Sequence, residues 1–268
     1  MTRESTTSET GTRLIRVVCV GSNQETECVL RGLHEQQANI VGLVTLPARR
    51  DQGVCDYVDL HQWCAAHDIA TIDTVDINSA ETLEAIAALR PDYIYTLGWS
   101  QIFGDRLIQI PSRYVVGSHP SPLPSGRGRA PVPWTILEAQ QKSAVTLFRM
   151  DAGVDSGAIL CQEWFEVAAE AYAQDVYQAV ASNLRRAFLK VYQAHASGTP
   201  LPEVPQTKSE ASYRAKRTPA DGHLDFGRPA EEISRLIRAV SKPYPGAYTY
   251  YAGTKITVWE CSLDAIPA

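Results

Sequence analysis

Short β-branched runs that alternate with helical patterns constrain the fold of this chain more than any other feature. Leu14–Val20 (LIRVVCV) and Asn39–Leu46 are two such runs, and a helical pattern follows each of them. Asp92–Leu97 and Tyr114–Ser118 predict two further buried strands. Strands that alternate with helices build right-handed βαβ units and a mostly parallel sheet. The sequence therefore predicts an α/β protein with a Rossmann-like, mostly parallel sheet.

The ends of the predicted strands indicate where chemistry is expected. In sheets of this kind ligands bind beyond the carboxyl ends of the strands, so the loops after Leu97 and Ser118 are candidate sites. The turn after the first strand, Gly21-Ser22-Asn23-Gln24, lacks the second and third glycines of the dinucleotide-binding fingerprint. A nicotinamide-dependent enzyme is excluded on that ground. Ser22 and Glu25 have the spacing of a capping box for the helix that follows.

The rest of the chain predicts two domains and a connector. A long helix at about Tyr172–Ala196 closes the first domain, and the segment after it is rich in Pro. Beyond it, one helix and two strands predict a small α+β subdomain. At about 60 residues, this unit is too small to be stable unless it packs on the first domain. The predicted division is a disordered tail at 1–13, a catalytic domain at 14–198, a linker at 199–206 and a C-terminal subdomain at 207–268.

Charge and cysteine usage limit the function classes. The formal net charge is -5 at pH 7, whereas proteins that bind the phosphates of nucleic acids usually present a basic surface. Nucleic acid is therefore not expected as the main partner. The six cysteines have no CxxC or Cys/His metal spacing, so we expect reduced thiols, no bound metal and a cytoplasmic location. Because no apolar run approaches roughly 18 residues, no membrane span is expected.

The most informative segment is the loop from Gly117 to Trp134, GSHPSPLPSGRGRAPVPW. It could be an ordinary surface loop, since it is rich in Pro, Gly and Ser. Two features favour a functional site instead. His119 directly follows a predicted buried strand, and the prolines stiffen the loop into an ordered shape. Because an imidazole titrates near neutrality, His119 is a candidate general acid or base.

Three segments carry a family resemblance. The first is His119–Pro124 (HPSPLP) followed by Arg127–Pro131 (RGRAP), and the second is Met150–Ile159 (MDAGVDSGAI). These resemble the motifs of folate-dependent formyltransferases, a family with glycinamide-ribonucleotide, methionyl-tRNA and nucleotide-sugar members. In the C-terminal part, Arg217–Pro219 and Lys242–Ala247 resemble the small domain of the methionyl-tRNA and sugar members. The resemblance covers nearly the whole chain after residue 13.

The resemblance implies catalytic and binding roles for particular residues. His119 would move the proton of an attacking amine, and Asp155 would favour the charged form of the ring, as an opposite charge does. The formyl donor would be 10-formyl-tetrahydrofolate, with no metal. The residues implied to enclose its pteridine ring are Trp99, Ser100, Ile102, Asp151, Ala152, Gly153 and Val154. The residues implied to contact the acceptor are Ser121, Arg127 and Arg129.

Gly117 departs from the family pattern, which usually has an Asn two residues before the His. Residues 117 and 119 of a strand face the same side, so an Asn there would project into the site while Gly projects nothing. Losing one preorganised oxyanion donor typically costs about 10²–10³ in rate. Either another group supplies the donor, or the chemistry has changed, or catalysis has been lost. If another group supplies it, Gln101, in the loop after Leu97, is the candidate for the substitute donor.

The sequence leaves the acceptor open. A nucleotide-linked amino sugar fits the acidic charge and the short C-terminal unit best. A tRNA acceptor fits less well, because that branch generally has a longer and more basic C-terminal domain. The enzymatic alternative is an amine or hydroxylamine of secondary metabolism, such as an ornithine derivative or a peptide-synthetase intermediate. The alternative of another class is a catalytically inactive folate-binding protein. The exposed face of the C-terminal sheet could serve a homodimer.

Overall fold

The computed structural model describes residues 14–48 and 56–263, so the tail predicted at 1–13 lies outside the described residues. No described helix is both long and apolar enough to cross a bilayer. The strands are β1 Val17–Val20, β2 Ile40–Thr45, β3 Thr71–Asp73, β4 Tyr93–Thr96, β5 Tyr114–His119, β6 Arg127–Gly128, β7 Lys142–Arg149, β8 Ile159–Glu166, β9 Tyr213–Arg214, β10 Ala247–Tyr251 and β11 Thr254–Val258. The α-helices are α1 Gln24–Glu35, α2 His61–Ala66, α3 Ala80–Ala88, α4 Asp105–Ile108, α5 Pro131–Leu137, α6 Ala173–Ser197 and α7 Ala230–Val240.

Seven strands form the central sheet in the order β3-β2-β1-β4-β5-β7-β8. The neighbouring pairs β3–β2, β2–β1, β1–β4 and β4–β5 are parallel, whereas β7 is antiparallel to both β5 and β8. The prediction of an α/β protein with a Rossmann-like, mostly parallel sheet and a small C-terminal α+β part is confirmed. The short strand β3 is not predicted from the sequence, because it has only three residues and two of them are exposed.

The central strand β1 is buried on both faces of the sheet, and none of its side chains is exposed. Val17 and Cys19 belong to the hydrophobic cluster that includes residues of α1 and α6. Val18 and Val20 belong to a second cluster, which includes residues of α3 and α4. Alternate residues of a strand face opposite sides of a sheet, so helices cover both faces. Only the ends of the strands are left for a ligand site.

The start of α1 is fixed to the end of β4. The N-cap is Asn23, whose Oδ1 accepts a 2.9 Å hydrogen bond from the N–H of Thr26. The capping box therefore pairs Asn23 with Thr26 and not Ser22 with Glu25, because the helix begins one residue later than the sequence analysis expects. Oγ1 of Thr26 donates to the carbonyl oxygen of Leu97 at 2.5 Å. This bond joins the start of α1, which follows β1, to the carboxyl end of β4.

The chain after α6 returns to the first domain. Gly198 ends the helix with left-handed backbone (φ 70°), which glycine adopts readily. In the segment predicted as a linker, Val204 and Ile159 exchange backbone hydrogen bonds of 3.0 and 2.8 Å. β9 then pairs in parallel with β6. Farther on, α7 packs against α5, and β10 and β11 form an antiparallel hairpin.

His195 connects α6 to the sheet at the edge opposite the carboxyl ends. Its Nδ1 lies 2.8 Å from the hydroxyl of Tyr95 and its Nε2 lies 2.7 Å from the hydroxyl of Tyr114. The imidazole stacks on Tyr93 with 3.8 Å between ring centroids. Burial disfavours the charged form and lowers the pKa of His195 to about 4.

We predict that His195 makes the protein sensitive to acid. Its pKa falls from 6.5 to about 4 on folding, so the unfolded chain binds more protons between these pH values. The contribution of His195 to the free energy of unfolding should therefore fall by about 3 kcal/mol from above pH 6.5 to pH 4. Thermal unfolding of His195→Gln should show a smaller fall than the parent, and the exposed His223→Gln serves as control. Equal pH dependence in the parent and His195→Gln would contradict the prediction.

Candidate functional site

His119 is the last residue of β5, the strand between β4 and β7. Val115 and Val116 are completely buried, so the strand becomes polar only as it leaves the core. The imidazole is 6% exposed, and its Nε2 lies 2.9 Å from the carbonyl oxygen of Gly126. Because a carbonyl oxygen only accepts, this contact places a proton on Nε2 and leaves Nδ1 as the acceptor nitrogen of the neutral ring.

Asp155 lies in the turn between β7 and β8. Its Oδ2 is 3.6 Å from Nδ1 of His119, and it accepts a 2.9 Å hydrogen bond from the backbone N–H of Gly128. The backbone of Asp155 is left-handed (φ 50°), a region that Asp tolerates better than most residues. The structure thus brings together the two residues predicted to be catalytic, which are 36 positions apart by their numbers in the chain.

Strands β7 and β8 hold the Pro-rich loop in place. Oγ1 of Thr146 donates to the carbonyl oxygen of Ser121 (2.7 Å) and accepts from the N–H of Leu123 (3.3 Å). Gln162 donates to the carbonyl oxygen of Leu123 at 2.8 Å. Ser121, predicted to contact the acceptor, is completely buried, and its Oγ donates to the carbonyl oxygen of Ser125. The hydroxyl group of Ser121 therefore stabilises the loop itself in this structure.

The two arginines predicted to contact the acceptor occupy different environments. Arg127 is 4% exposed. Its Nε and Nη2 donate to Oε1 of Gln206 (3.1 and 2.6 Å), and its Nη1 donates to the hydroxyl of Tyr213 (3.1 Å). Arg129 is exposed, and its Nη1 donates to the carbonyl oxygen of Ser100 at 2.8 Å. Only Arg129 presents its guanidinium group to solvent.

The loop after β4 was predicted to enclose the pteridine ring. Ile102 is 70% exposed, and its carbonyl oxygen accepts from Nδ2 of Asn78 at 3.0 Å. Trp99 packs against the cluster under α3, and its Nε1 is buried without a hydrogen-bond partner among the described residues. Ser100 is exposed and bonded to Arg129. The loop therefore presents an apolar side chain to solvent and contains an unsatisfied donor.

The second segment predicted to enclose the pteridine, 151–154, is an exposed turn. Oδ1 of Asp151 accepts from the N–H of Gly153 (3.0 Å) and from Oγ of Ser156 (2.7 Å). Ala152 is exposed, and Val154 leaves 45% of its surface in solvent. Asp151 thus stabilises the turn by hydrogen bonds inside it. Val154, like Ile102, exposes an apolar side chain at this edge of the sheet.

Gln101, the predicted substitute oxyanion donor, is bonded elsewhere. Its Oε1 accepts from the N–H of Ile77 at 2.9 Å, and its Nε2 donates to the carbonyl oxygen of Val75 at 2.8 Å. Both ends of the amide therefore hold the segment after β3 to the loop after β4. Gln101 would have to break these bonds to reach the site, so its oxyanion role stays a prediction that this geometry does not favour.

The ring of Phe148 covers the position of the missing Asn. Gly117 and Phe148 are paired residues of β5 and β7, and Phe148 is only 2% exposed. A Cβ built on Gly117 would lie 2.6 Å from Cζ of Phe148 and 3.0 Å from Cγ of Met150. Ser118 faces away, because its Oγ donates to the carbonyl oxygen of Thr96. The surface next to His119 on this strand is therefore apolar.

Residues after α6 complete the candidate site, and none of them is predicted from the sequence. Nε2 of Gln206 donates to the carbonyl oxygens of Asp155 and Gly157, both at 2.8 Å. Oγ of Ser212 accepts from the N–H of Gly126 at 2.9 Å. Gln206 ends a Pro-rich stretch that is typical of a linker, and Ser212 follows a polar run. No local sequence signal marks either residue.

A buried carboxyl group lies under the loop after β4. Glu25 is 6% exposed, and its Oε2 would be 2.8 Å from a Cβ built on Gly98. Burial, reinforced by the negative charge of Asp56, raises the pKa of Glu25 to about 8. Asp56 accepts a hydrogen bond from the hydroxyl of Tyr177. The surroundings of Glu25 therefore favour its neutral form. Within residues 14–48 and 56–263, no three His, Cys, Asp or Glu side chains are grouped as metal ligands.

Solved structures with this fold include formyltransferases of two kinds. A sugar N-formyltransferase from Shewanella has a TM-score of 0.71 at 16% identity, covering 95% of this chain and 100% of that chain. A methionyl-tRNA formyltransferase from Clostridium thermocellum has a TM-score of 0.68 at 17% identity, covering 94% of each chain. WlaRD, a sugar 3N-formyltransferase solved in the presence of dTDP and 5-N-formyl-THF, has a TM-score of 0.69 at 20% identity. The match covers 91% of this chain and 85% of that chain.

At identities this low, structural likeness shows the fold alone, whereas comparison with protein families shows to which family the sequence belongs. The family described as "Formyl transferase" matches residues 5–192. The family described as "Formyl transferase, C-terminal domain" matches residues 216–266. The first match alone covers well over half of the sequence, and the second covers most of the part beyond α6. The chain therefore belongs to the formyl transferase family, and it is a formyl-transferring enzyme.

Proposed function

We propose that this enzyme moves the formyl group of 10-formyl-tetrahydrofolate to the amine of a nucleotide-linked amino sugar. The observation that carries the proposal is the pair of His119 and Asp155, whose Nδ1 and Oδ2 are 3.6 Å apart. Acyl transfer to an amine needs a group that takes the amine proton, and an imidazole beside a carboxylate suits that step. The likeness to two sugar N-formyltransferases supports the sugar acceptor.

The residues at the carboxyl edge fit a folate donor. Ile102 and Val154 are 70% and 45% exposed, and apolar side chains of this kind suit the faces of a planar pteridine. We expect the loop from Gly98 to Ile102 and the turn from 151 to 154 to hold the ring. When bound, 10-formyl-tetrahydrofolate supplies the activated formyl group.

The hydrogen bonds of His119 assign a task to each ring nitrogen. The carbonyl oxygen of Gly126 holds Nε2–H and so fixes the tautomer. Nδ1 is then the base that takes the proton of the attacking amine. The protonated Nδ1–H faces Oδ2 of Asp155, which the N–H of Gly128 keeps in place. His119 subsequently gives the same proton to the leaving nitrogen.

The protonated His119 ring also serves the developing oxyanion. A donor aimed at that charge is usually a large term in acyl transfer. Gly117 offers no side chain, Phe148 makes its surroundings apolar, and Gln101 is bonded to the segment after β3. The two N–H groups of the imidazolium face Gly126 and Asp155, so the ring stabilises the oxyanion through its positive charge. One ring therefore combines proton transfer with charge stabilisation.

Arg129 is the candidate for recognising the acceptor. It is exposed and uses one N–H group to bond Ser100, while a guanidinium group has five such donors. The remaining donors suit the paired oxygens of a phosphate, which every nucleotide-linked sugar contains. Arg127 is buried and bonded to Gln206 and Tyr213, so we assign it to the scaffold of the loop.

Replacement of either catalytic residue should remove most of the turnover. We expect His119→Gln and Asp155→Asn to lower kcat by about 10²–10⁴-fold, as is usual for general acid–base groups. Formylated product is quantified by mass spectrometry, and thermal unfolding shows that both variants fold. His61→Gln, a half-buried histidine on α2, should keep full activity. Folate binding without turnover in the parent enzyme would favour an inactive folate-binding protein.

Gly117 should tolerate no side chain while Phe148 is present. A Cβ would lie 2.6 Å from Cζ of Phe148, and overpacking of this kind typically costs about 1–3 kcal/mol. Gly117→Ala should lower the free energy of unfolding by that amount in chemical denaturation. In a Phe148→Ala background the same change should cost much less. Additive effects of the two substitutions would contradict the packing explanation. Gly104→Ala, which meets only the side chain of Asn78, is the control.

The acceptor class is tested by calorimetry with a stable formyl-folate analogue and a panel of nucleotide-linked amino sugars. We expect micromolar binding of the analogue together with binding of one sugar. Arg129→Ala should weaken sugar binding by about 10-fold or more, because hydrogen bonds to charged groups contribute about 1.5–3 kcal/mol. Arg31→Ala, an exposed arginine on α1, should leave sugar binding unchanged. Folate binding without any sugar would favour an amine of secondary metabolism.

A further inference from the structure

Gln206 bridges the two segments that carry the catalytic residues. Its Nε2 donates to the carbonyl oxygens of Asp155 and Gly157, both at 2.8 Å. Its Oε1 accepts two hydrogen bonds from the guanidinium group of Arg127. All four contacts span at least 49 positions of the chain. One side chain thus joins the turn after β7 to the loop after β5.

The turn that carries Asp155 needs support from outside itself. Residues 151–154 are all exposed, and the internal bonds of the turn come from the side chain of Asp151. Asp155 itself has left-handed backbone (φ 50°), which costs a non-glycine residue free energy unless its surroundings compensate. The two carbonyl groups held by Gln206 flank Ser156. Gln206 therefore fixes the backbone on both sides of Ser156, just before β8 begins.

The other end of the bridge is itself firmly held. Arg127 is 4% exposed and donates to Tyr213 as well as to Gln206. Its backbone N–H donates to the carbonyl oxygen of Ser212 at 2.9 Å. The residue after it, Gly128, donates to Oδ2 of Asp155. Asp155 is therefore held by its carboxylate from Gly128 and by its backbone from Gln206.

We propose that Gln206 is a positioning residue for formyl transfer, which holds Oδ2 of Asp155 beside Nδ1 of His119 without contacting either substrate. The proposal rests on the proposed function of the His119–Asp155 pair. A misplacement of about 1 Å in such a pair can lower the rate by about 10²-fold. Acceptor binding should change little, because Gln206 donates only to backbone carbonyl groups and accepts only from Arg127.

Gln206→Glu is the sharpest test. The carboxylate keeps the contact with Arg127 and turns it into an ion pair, but it cannot donate to the carbonyl oxygens of Asp155 and Gly157. We expect a folded protein with kcat lowered by about 10–100-fold and with the KM of the acceptor within about 2-fold of the parent. Gln206→Met, which has a similar length and no donor, should lose kcat in the same way. Gln193→Met, which removes an exposed Gln–Gln contact between α6 and α1, is the matched control.

Hydrogen exchange gives a readout that needs no turnover. Amide exchange in the peptide 150–158 should become faster in both Gln206 variants, while exchange in β1 and β4 stays as in the parent. Unchanged exchange in 150–158, or faster exchange with unchanged kcat, would overturn the positioning role. The absence of formyl transfer by the parent enzyme would instead overturn the proposed function, and this is seen before any variant is made. If the Met variant fails to fold, the Glu variant carries both measurements.

Discussion

The burial of β5 between β4 and β7 is the constraint on which the site depends. A strand that is covered on both faces can hold a polar side chain only where it leaves the core. Val115 and Val116 are completely buried, and His119 is the last residue of the strand. Every group that works with His119 must then reach this one point from a connecting segment. Asp155 does so from the turn after β7, and Gly126 does so from the Pro-rich loop.

Connecting segments are usually mobile, so this arrangement requires unusual reinforcement. Thr146 and Gln162 hold the Pro-rich loop from the neighbouring strands. Arg127 is buried without an ion pair among the described residues, and its charge is satisfied by neutral acceptors on Gln206 and Tyr213. Burying a charge in this way is costly unless hydrogen bonds compensate. The polar groups of the loop form hydrogen bonds with residues far away in the chain, and these bonds hold the loop in place.

The parts of this structure that the sequence could predict are those determined by local pattern. The β-branched runs predicted β1, β2, β4 and β5, and the position of His119 after a buried run predicted its place at the carboxyl edge. Asp155 has no such signal of its own and was identified only through the family motif. The burial of Arg127 could not be predicted, since its partners are 79 and 86 positions away. The contacts of Gln206 could not be predicted for the same reason, because a Pro-rich stretch gives no indication of what it packs against.

The pairing of β9 with β6 has a consequence for the modular use of this chain. Family comparison divides the sequence between residues 192 and 216, and the connecting stretch looks exchangeable. Yet Gln206, Ser212 and β9 lie in that stretch and complete the site of the first domain. A chimaera joined to a relative near residue 200 would replace these residues of the candidate site with those of the relative. Recombination that preserves these contacts has its crossover after Arg214, so the unit that can be exchanged is longer than the part matched by the first family.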